Sequence, residues 1–156
     1  MTSALAPGFV RPAQLGDYAA WKPLWDGYNA FYGREGETAL ADEITQTTWR
    51  RFFDPAEPMG ALVAVREGRL VGMAHYVFHR STLRAEPSCY LNDLFTLESE
   101  RGQGVGRSLI VALYELARSA GTKRVYWHTH ETNHAGRLLY DKLAAYTGFI
   151  VYSVDL

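Results

Sequence analysis

The chain has one cysteine in 156 residues, Cys89, so no disulfide can close within it and a small cystine-stapled scaffold is excluded. Long hydrophobic runs are missing too. No apolar stretch approaches the roughly 18 residues of a membrane-spanning helix, and Met1–Gly8 holds neither the basic region nor the apolar segment of an export signal. Nor is there an excess of charge of one sign. With 16 basic and 17 acidic side chains the net charge is −1, whereas a dedicated nucleic-acid binder shows a basic excess or stripe. These absences predict a cytoplasmic protein with no membrane and no nucleic-acid partner. The rest of the composition is ordinary: 47% hydrophobic and 21% charged residues, with a length that suits one domain over residues 1–156.

The most informative stretch is Arg101-Gly102-Gln103-Gly104-Val105-Gly106-Arg107, set between a strand-like run and a run with helical periodicity. Glycine at every second position leaves backbone N–H groups uncovered, and the first turn of a helix has N–H groups without internal partners. The helix dipole and the flanking arginines add positive charge, which predicts a socket for phosphate or pyrophosphate. Two familiar phosphate loops do not fit. A Walker loop ends in Gly-Lys-Ser/Thr, whereas Gly106 is followed by Arg107 and Ser108. The dinucleotide fingerprint is G-x-G-x-x-G with an acidic residue about 20 positions on; here the spacing is G-x-G-x-G, and residues 122–129 contain no carboxylate.

Taken in order, Phe9–Arg11 reads as a short strand stopped by Pro12, and residues 14–32 as a helix, with a break near Pro23 as an alternative. Tyr18, Trp21, Trp25, Tyr28 and Tyr32 fall along one side of that helix. Aromatic stripes of this kind are usually core; the functional reading makes the helix end and the loop at 33–38 a wall of an acceptor pocket, its rings facing a cationic amine. Asp26, Glu35 and Glu37 would add negative charge there or simply be solvated. Residues 42–53 form a second helix, and 61–66 and 69–78 a hairpin across Glu67-Gly68. Alternation puts His75, Val77 and His79 on one face, where strand histidines are more often structural than catalytic. Residues 88–97 are the strand that feeds the glycine loop, 104–120 a helix ended by Gly121, and 123–129 a strand parallel to 88–97. A helix at 133–146 and a closing strand at 149–154 complete the chain.

The spacing Arg101-x-x-Gly104-x-Gly106 resembles the pyrophosphate loop of the GCN5-related N-acetyltransferases, and the resemblance extends over residues 9–152. Leu91-Asn92-Asp93-Leu94-Phe95-Thr96 is similar to the central strand of that family. Asn133-x-x-Gly136-x-x-Leu139-Tyr140 is similar to its Asn-x-x-Ala-x-x-Leu-Tyr helix, with glycine in place of alanine. The implied fold is α/β (α+β): a mixed, mostly antiparallel sheet flanked by helices on both faces, with a splayed parallel strand pair forming the acetyl-CoA cleft. The implied cofactor-binding residues are Leu94, Phe95 and Thr96 on the strand, the N–H of Phe95 or of a neighbour holding the thioester oxygen; Arg101, Gly102, Gln103, Gly104, Val105, Gly106 and Arg107 around the pyrophosphate; and Asn133, Gly136 and Tyr140.

What the resemblance implies for function is transfer of acetyl from acetyl-CoA to a primary amine, by direct attack and without a covalent enzyme intermediate. The acceptor would be a polyamine-like small molecule or a lysine or N-terminal amine of a peptide. Tyr140 is implied as the acid for the departing thiolate. Asp93 is the first candidate to take the ammonium proton, directly or through water, and Trp25, Tyr28, Tyr32, Asn92 and Asp93 are expected to line the acceptor site. Within the family the closest likeness is to polyamine and histone-type enzymes; the former commonly carry a glutamate where Asn92 stands, and asparagine is no base near neutral pH. The alternative is a non-catalytic acyl-CoA-binding sensor or partner module. Dimers are common in the family, and the closing strand offers an edge to a second copy.

Two rivals for reactive residues are weaker. His128, His130 and His134 lack the fourth ligand of a closed zinc site, so no metal is expected. Cys89 has no base or positive group near it in sequence and reads as a buried thiol.

Overall fold

The computed structural model describes residues 9–156, so the expectation for Met1–Gly8 lies outside the described residues. Along the chain run β1 (Val10–Pro12), α1 (Tyr18–Phe31), α2 (Asp42–Arg51), β2 (Met59–Arg66), β3 (Arg69–Ser81), β4 (Arg84–Thr96), α3 (Val105–Ser119), β5 (Val125–Tyr126) and α4 (His134–Leu143). The strands form one sheet in the order β1-β2-β3-β4-β5, antiparallel except for the parallel pair β4-β5. This is the mixed, mostly antiparallel sheet expected. The β2-β3 turn places Glu67 and Gly68 at φ 49° and 74°, the paired positive angles of a tight hairpin.

Two cores lie on opposite faces of the sheet. Val105, Leu109, Ile110 and Leu113 of α3 bury against Leu62, Ala64, Val71, Ala74 and Leu91. On the other face Trp21, Leu24, Trp25 and Tyr28 of α1 pack with Trp49 of α2 on Met73. Spacings of three and four lay one row of each helix on the sheet, while the strand period of two sends Met73 and Ala74 into different cores. Helix α1 is continuous: Pro23 lies near its start, where its missing N–H forfeits one bond, to the Ala19 carbonyl, and the helix does not break.

The feature that shapes the site is a slip in register. His75 opposes Asp93 and Tyr76 opposes Leu91, so Asn92 is the extra residue of a β-bulge. Leu91 and Leu94 both join the α3-side core, and Asp93 turns to the α1 face. Pairing of β4 with β5 covers Cys89↔Val125 and Tyr90↔Tyr126 and goes no further. The strands therefore part at the bulge, as the resemblance implied, and the strand expected at 123–129 shrinks to two residues.

The closing strand expected at 149–154 is not formed. Residues 144–156 carry no helix or strand, and Phe149, Ile150, Val151 and Tyr152 remain 65–88% exposed. Helix α4 ends at Leu143, short of the expected 146, where the Tyr114 hydroxyl donates to the Leu143 carbonyl at 3.0 Å. β-Branched and aromatic residues give this segment strand propensity, but propensity does not supply a partner edge.

Candidate active site

The glycine loop bridges β4 and α3. Gly104 is the N-cap of α3 at φ 84°, and nothing lies within 4 Å of the position its Cβ would take, so the loop presents bare backbone outward. Helix geometry leaves the N–H groups of Val105, Gly106 and Arg107 without intrahelical acceptors; the Ser108 N–H is the first to donate, to the Gly104 carbonyl at 3.0 Å. The loop is braced from behind. Arg66 of β2 donates to Gln103 Oε1 at 2.6 Å and to Glu100, and Arg101 Nε donates to the Thr96 carbonyl at 3.2 Å. Gln103 thus acts through its side chain as a strut. Free N–H groups, a helix N-terminus and the exposed Arg101 and Arg107 fit a pyrophosphate, and the parted strands beside them leave Leu94, Phe95 and Thr96 without a β5 partner for an acyl-pantetheine arm to replace.

Asp93, 9% exposed, is gripped from two sides. His75 Nδ1 donates to Oδ2 at 2.9 Å and Asn92 Nδ2 donates to Oδ1 at 3.0 Å. The proton on His75 is assigned by its other neighbour. The indole N–H of Trp21 donates to His75 Nε2 at 2.9 Å, and an indole has nothing but a donor to offer, so Nε2 is bare and Nδ1 carries the hydrogen. Trp21, Trp25 and Phe52 surround the imidazole, with centroids 4.6–5.7 Å away. Burial pushes the Asp93 carboxyl up, but its close contact with His75, and to a smaller degree with Tyr28 and Asn92, outweighs this and holds the group below its ordinary value. The outcome is a buried, oriented carboxylate that is ionised at neutral pH. Alternation alone gives His75 a structural role; only the register across the bulge sets it against Asp93.

Tyr140 sits on α4, partly buried, with Trp127 edge-on at 5.4 Å. Burial, and to a smaller degree Tyr32, raises its pKa, so the phenol keeps its proton at neutral pH. Tyr32 also feels the Asp93 charge, so it lies within electrostatic reach of both Asp93 and Tyr140. Asn133 caps α4: its Oδ1 accepts from the Gly136 N–H at 3.2 Å and its Nδ2 donates to Thr129 Oγ1 at 2.9 Å. A Cβ at position 136 would stand 2.5 Å from that Nδ2, so glycine there lets Asn133 fold over the helix end. Both amide atoms of Asn133 are thereby engaged within the chain.

Tyr28, Tyr32, Asn92 and Asp93 come together at the bulge; Trp25 stands behind them. It is 7% exposed, lies between Trp21 and Tyr28, and spends its N–H on Thr45 Oγ1 at 3.1 Å. Cys89 is buried, and burial pushes its thiol up to about 12, which leaves it inert. His130 is engaged with Thr132 and His128 with the Tyr90 hydroxyl. A cavity of about 510 Å³ lies between α1, the loop after it and α2; Arg34 lines it, and Asp93 and Tyr140 do not. Among the described residues no helix is long and apolar enough to cross a membrane.

A splayed parallel strand pair beside a pyrophosphate socket is the arrangement of a coenzyme A-dependent acyltransferase. The sequence profile of the acetyltransferase (GNAT) family matches residues 21–146, and the chain belongs to that family. A D-amino-acid N-acetyltransferase of Saccharomyces cerevisiae is 39% identical over 145 residues, covering 92% of this chain and 88% of that protein. A mycothiol acetyltransferase of Thermobispora bispora is 30% identical over 143 residues, covering 90% of this chain and 45% of that protein. Among solved structures, an aminoglycoside N-acetyltransferase in complex with coenzyme A has a TM-score of 0.79 at 15% identity, covering 94% of this chain and 93% of that one, a likeness of fold. The protein is an acetyl-transferring enzyme, and the acyl donor of its family is acetyl-CoA.

Proposed function

We propose that the enzyme acetylates the amine of a small molecule, with Asp93 holding the acceptor and Tyr140 protonating the leaving group. The observation that carries this is an ionised carboxylate, hydrogen-bonded by His75 and Asn92 at the bulge of β4, together with a proton-bearing phenol on α4. Of the acceptors suggested by the sequence, an amino acid's amine takes precedence over a polyamine or a peptide lysine, because the relative at 39% identity is a D-amino-acid N-acetyltransferase.

The depressed Asp93 refines its role. An alkyl ammonium with a pKa of about 10.4 will not pass its proton to a carboxylate below about 3.9 in any useful amount. Asp93 instead binds the ammonium, and the proton leaves through water beside it. Acetyl-CoA supplies an activated acyl thioester. The free amine forms the new C–N bond, backbone N–H groups exposed where β4 leaves β5 stabilise the oxyanion, and as the C–S bond breaks the Tyr140 proton goes to the thiolate. Tyr140→Phe is expected to lower kcat about a hundredfold with acetyl-CoA affinity kept, read by stopped assays of thiol release beside calorimetry. Unchanged turnover at neutral pH would remove Tyr140 from this role.

We further infer a second copy of the chain as a partner. Phe149, Ile150, Val151, Tyr152 and Val154 are all exposed, and β5 is the edge of the sheet with two paired residues, so the closing segment of each copy would add a strand to the other. Sedimentation at micromolar concentration is expected to give a dimer, and deletion of residues 148–156 a monomer; a monomeric full chain contradicts the inference.

A further inference from the structure

Arg34 is a guanidinium without a carboxylate. Among the described residues it forms no ion pair, and the adjacent Glu35 does not reach it. Yet it is held as firmly as a paired arginine. Its Nε donates to Asn29 Oδ1 at 2.7 Å, and its backbone N–H to the Asn29 carbonyl at 2.9 Å. Asn29 is itself 4% exposed and locked by donation to the Trp25 carbonyl at 2.9 Å. The loop that carries Arg34 is closed by Thr38 Oγ1, which donates to the Gly33 carbonyl at 2.7 Å. With Nε spent, the two terminal NH2 groups of the fork have no partner among the described residues, and the guanidinium carbon lies 5.8 Å and 5.5 Å from the ring centres of Tyr28 and Tyr32.

Those same two tyrosines stand beside the Asp93 group. Tyr28 stacks on Trp25 at 5.5 Å, Trp25 packs on the His75 ring at 5.3 Å, and His75 holds the Asp93 carboxylate; both phenols feel Asp93 and Arg34 with opposite sign. Asp93 and Arg34 form no ion pair with each other, so the two charges remain apart across the aromatic pair. Fixed opposite charges flanking one aromatic wall match a zwitterion: ammonium on Asp93, carboxylate on the arginine fork. A polyamine would bring a second ammonium against Arg34, and like charges there are unfavourable.

We propose that Arg34 anchors the free carboxylate of the acceptor and thereby selects α-amino acids over simple amines. This rests on the assignment of the Asp93 opening as the acceptor site. The test compares kcat/KM for phenylalanine of each hand, phenylalaninamide and phenethylamine, in the native enzyme, Arg34→Met and Arg34→Lys. In the native enzyme the better hand of the amino acid is expected to exceed the amide and the amine by about 10- to 100-fold, the worth of one charge-assisted bidentate contact. In Arg34→Met that ratio is expected to fall to about threefold or less, through KM for the amino acid, and Arg34→Lys to lie between, because a point charge replaces the fork. Ratios taken within each protein are insensitive to how much of it folds. Equal use of amide, amine and amino acid by the native enzyme, or a ratio unchanged in Arg34→Met, overturns the role of Arg34 while leaving amine acetylation intact; no turnover on any of them overturns both.

Discussion

Gly104→Val is expected to weaken acetyl-CoA binding by about a hundredfold or more, roughly 2.7 kcal/mol, while the chain stays folded. Position 104 is held at φ 84°, and the next residues offer three unpartnered N–H groups to the ligand. A β-branched side chain acts there in two ways. It strains the left-handed backbone by about 1–2 kcal/mol, and it stands on the face a pyrophosphate has to approach. Nothing within 4 Å of that Cβ belongs to the protein, so no internal clash adds to the cost. Gly121→Val makes the strain term measurable by itself: φ there is 80°, the position is equally open, and it follows the far end of α3. Calorimetric titration is expected to show affinity lost in the first variant and kept in the second. Equal loss in both would assign the effect to backbone strain, and retained affinity in Gly104→Val would contradict the socket.

Asp93→Asn is expected to lower kcat/KM for the amine by about 10²- to 10⁴-fold with acetyl-CoA affinity unchanged. The side chains are nearly isosteric, but an amide carries no charge for the ammonium and turns an NH2 toward donors that now lack an acceptor. His75 Nδ1–H and Asn92 Nδ2 both aim at this one group, so the loss in stability is about 1–3 kcal/mol. Its pH dependence has a definite sign. Folding depresses the pKa of Asp93, so its contribution to stability is complete above the unfolded value of about 3.9 and is lost as pH falls through the lower folded value. Urea midpoints between pH 3 and 7 should therefore decline less steeply toward acid in Asp93→Asn than in the native chain; parallel curves would mean the native carboxylate is not depressed. For the same reason kcat/KM is expected to climb with pH as the amine loses its proton, with no limb near neutrality set by Asp93.

The two variants address parts of the chain that differ in how far the sequence reveals them. The glycine loop is legible because its chemistry is local: Gly104 and Gly106 at fixed spacing before a helical run dictate bare backbone and free N–H groups whatever surrounds them. The apolar rows of α1 and α3 follow from periodicity and the hairpin from its Glu67-Gly68 turn, while the mixed, mostly antiparallel sheet follows from the family resemblance. The grip on Asp93 is not local. His75 is 18 positions away, and whether it or a neighbour faces Asp93 depends on the single extra residue at Asn92, which no alternation pattern announces. Trp21 is legible as core, yet its N–H fixes the tautomer of His75, a role visible only once α1 lies on β3. Arg34 escapes notice because the loop at 33–38 draws attention through its acids, while the feature that distinguishes Arg34 is that nothing pairs with it. The segment at 149–154 fails in the opposite way: its strand propensity is plain, but pairing needs an edge, and in one chain it does not find β5.

Thiol release from acetyl-CoA over D- and L-amino acids, polyamines, aminoglycosides and basic peptides, with acetyl-CoA binding measured in the same preparation, decides whether the enzyme acetylates an amino acid. Turnover is expected on amino acids, weaker or absent on polyamines, with the signal lost in Asp93→Asn. Tight acetyl-CoA binding with no thiol released by any amine would contradict amine acetylation.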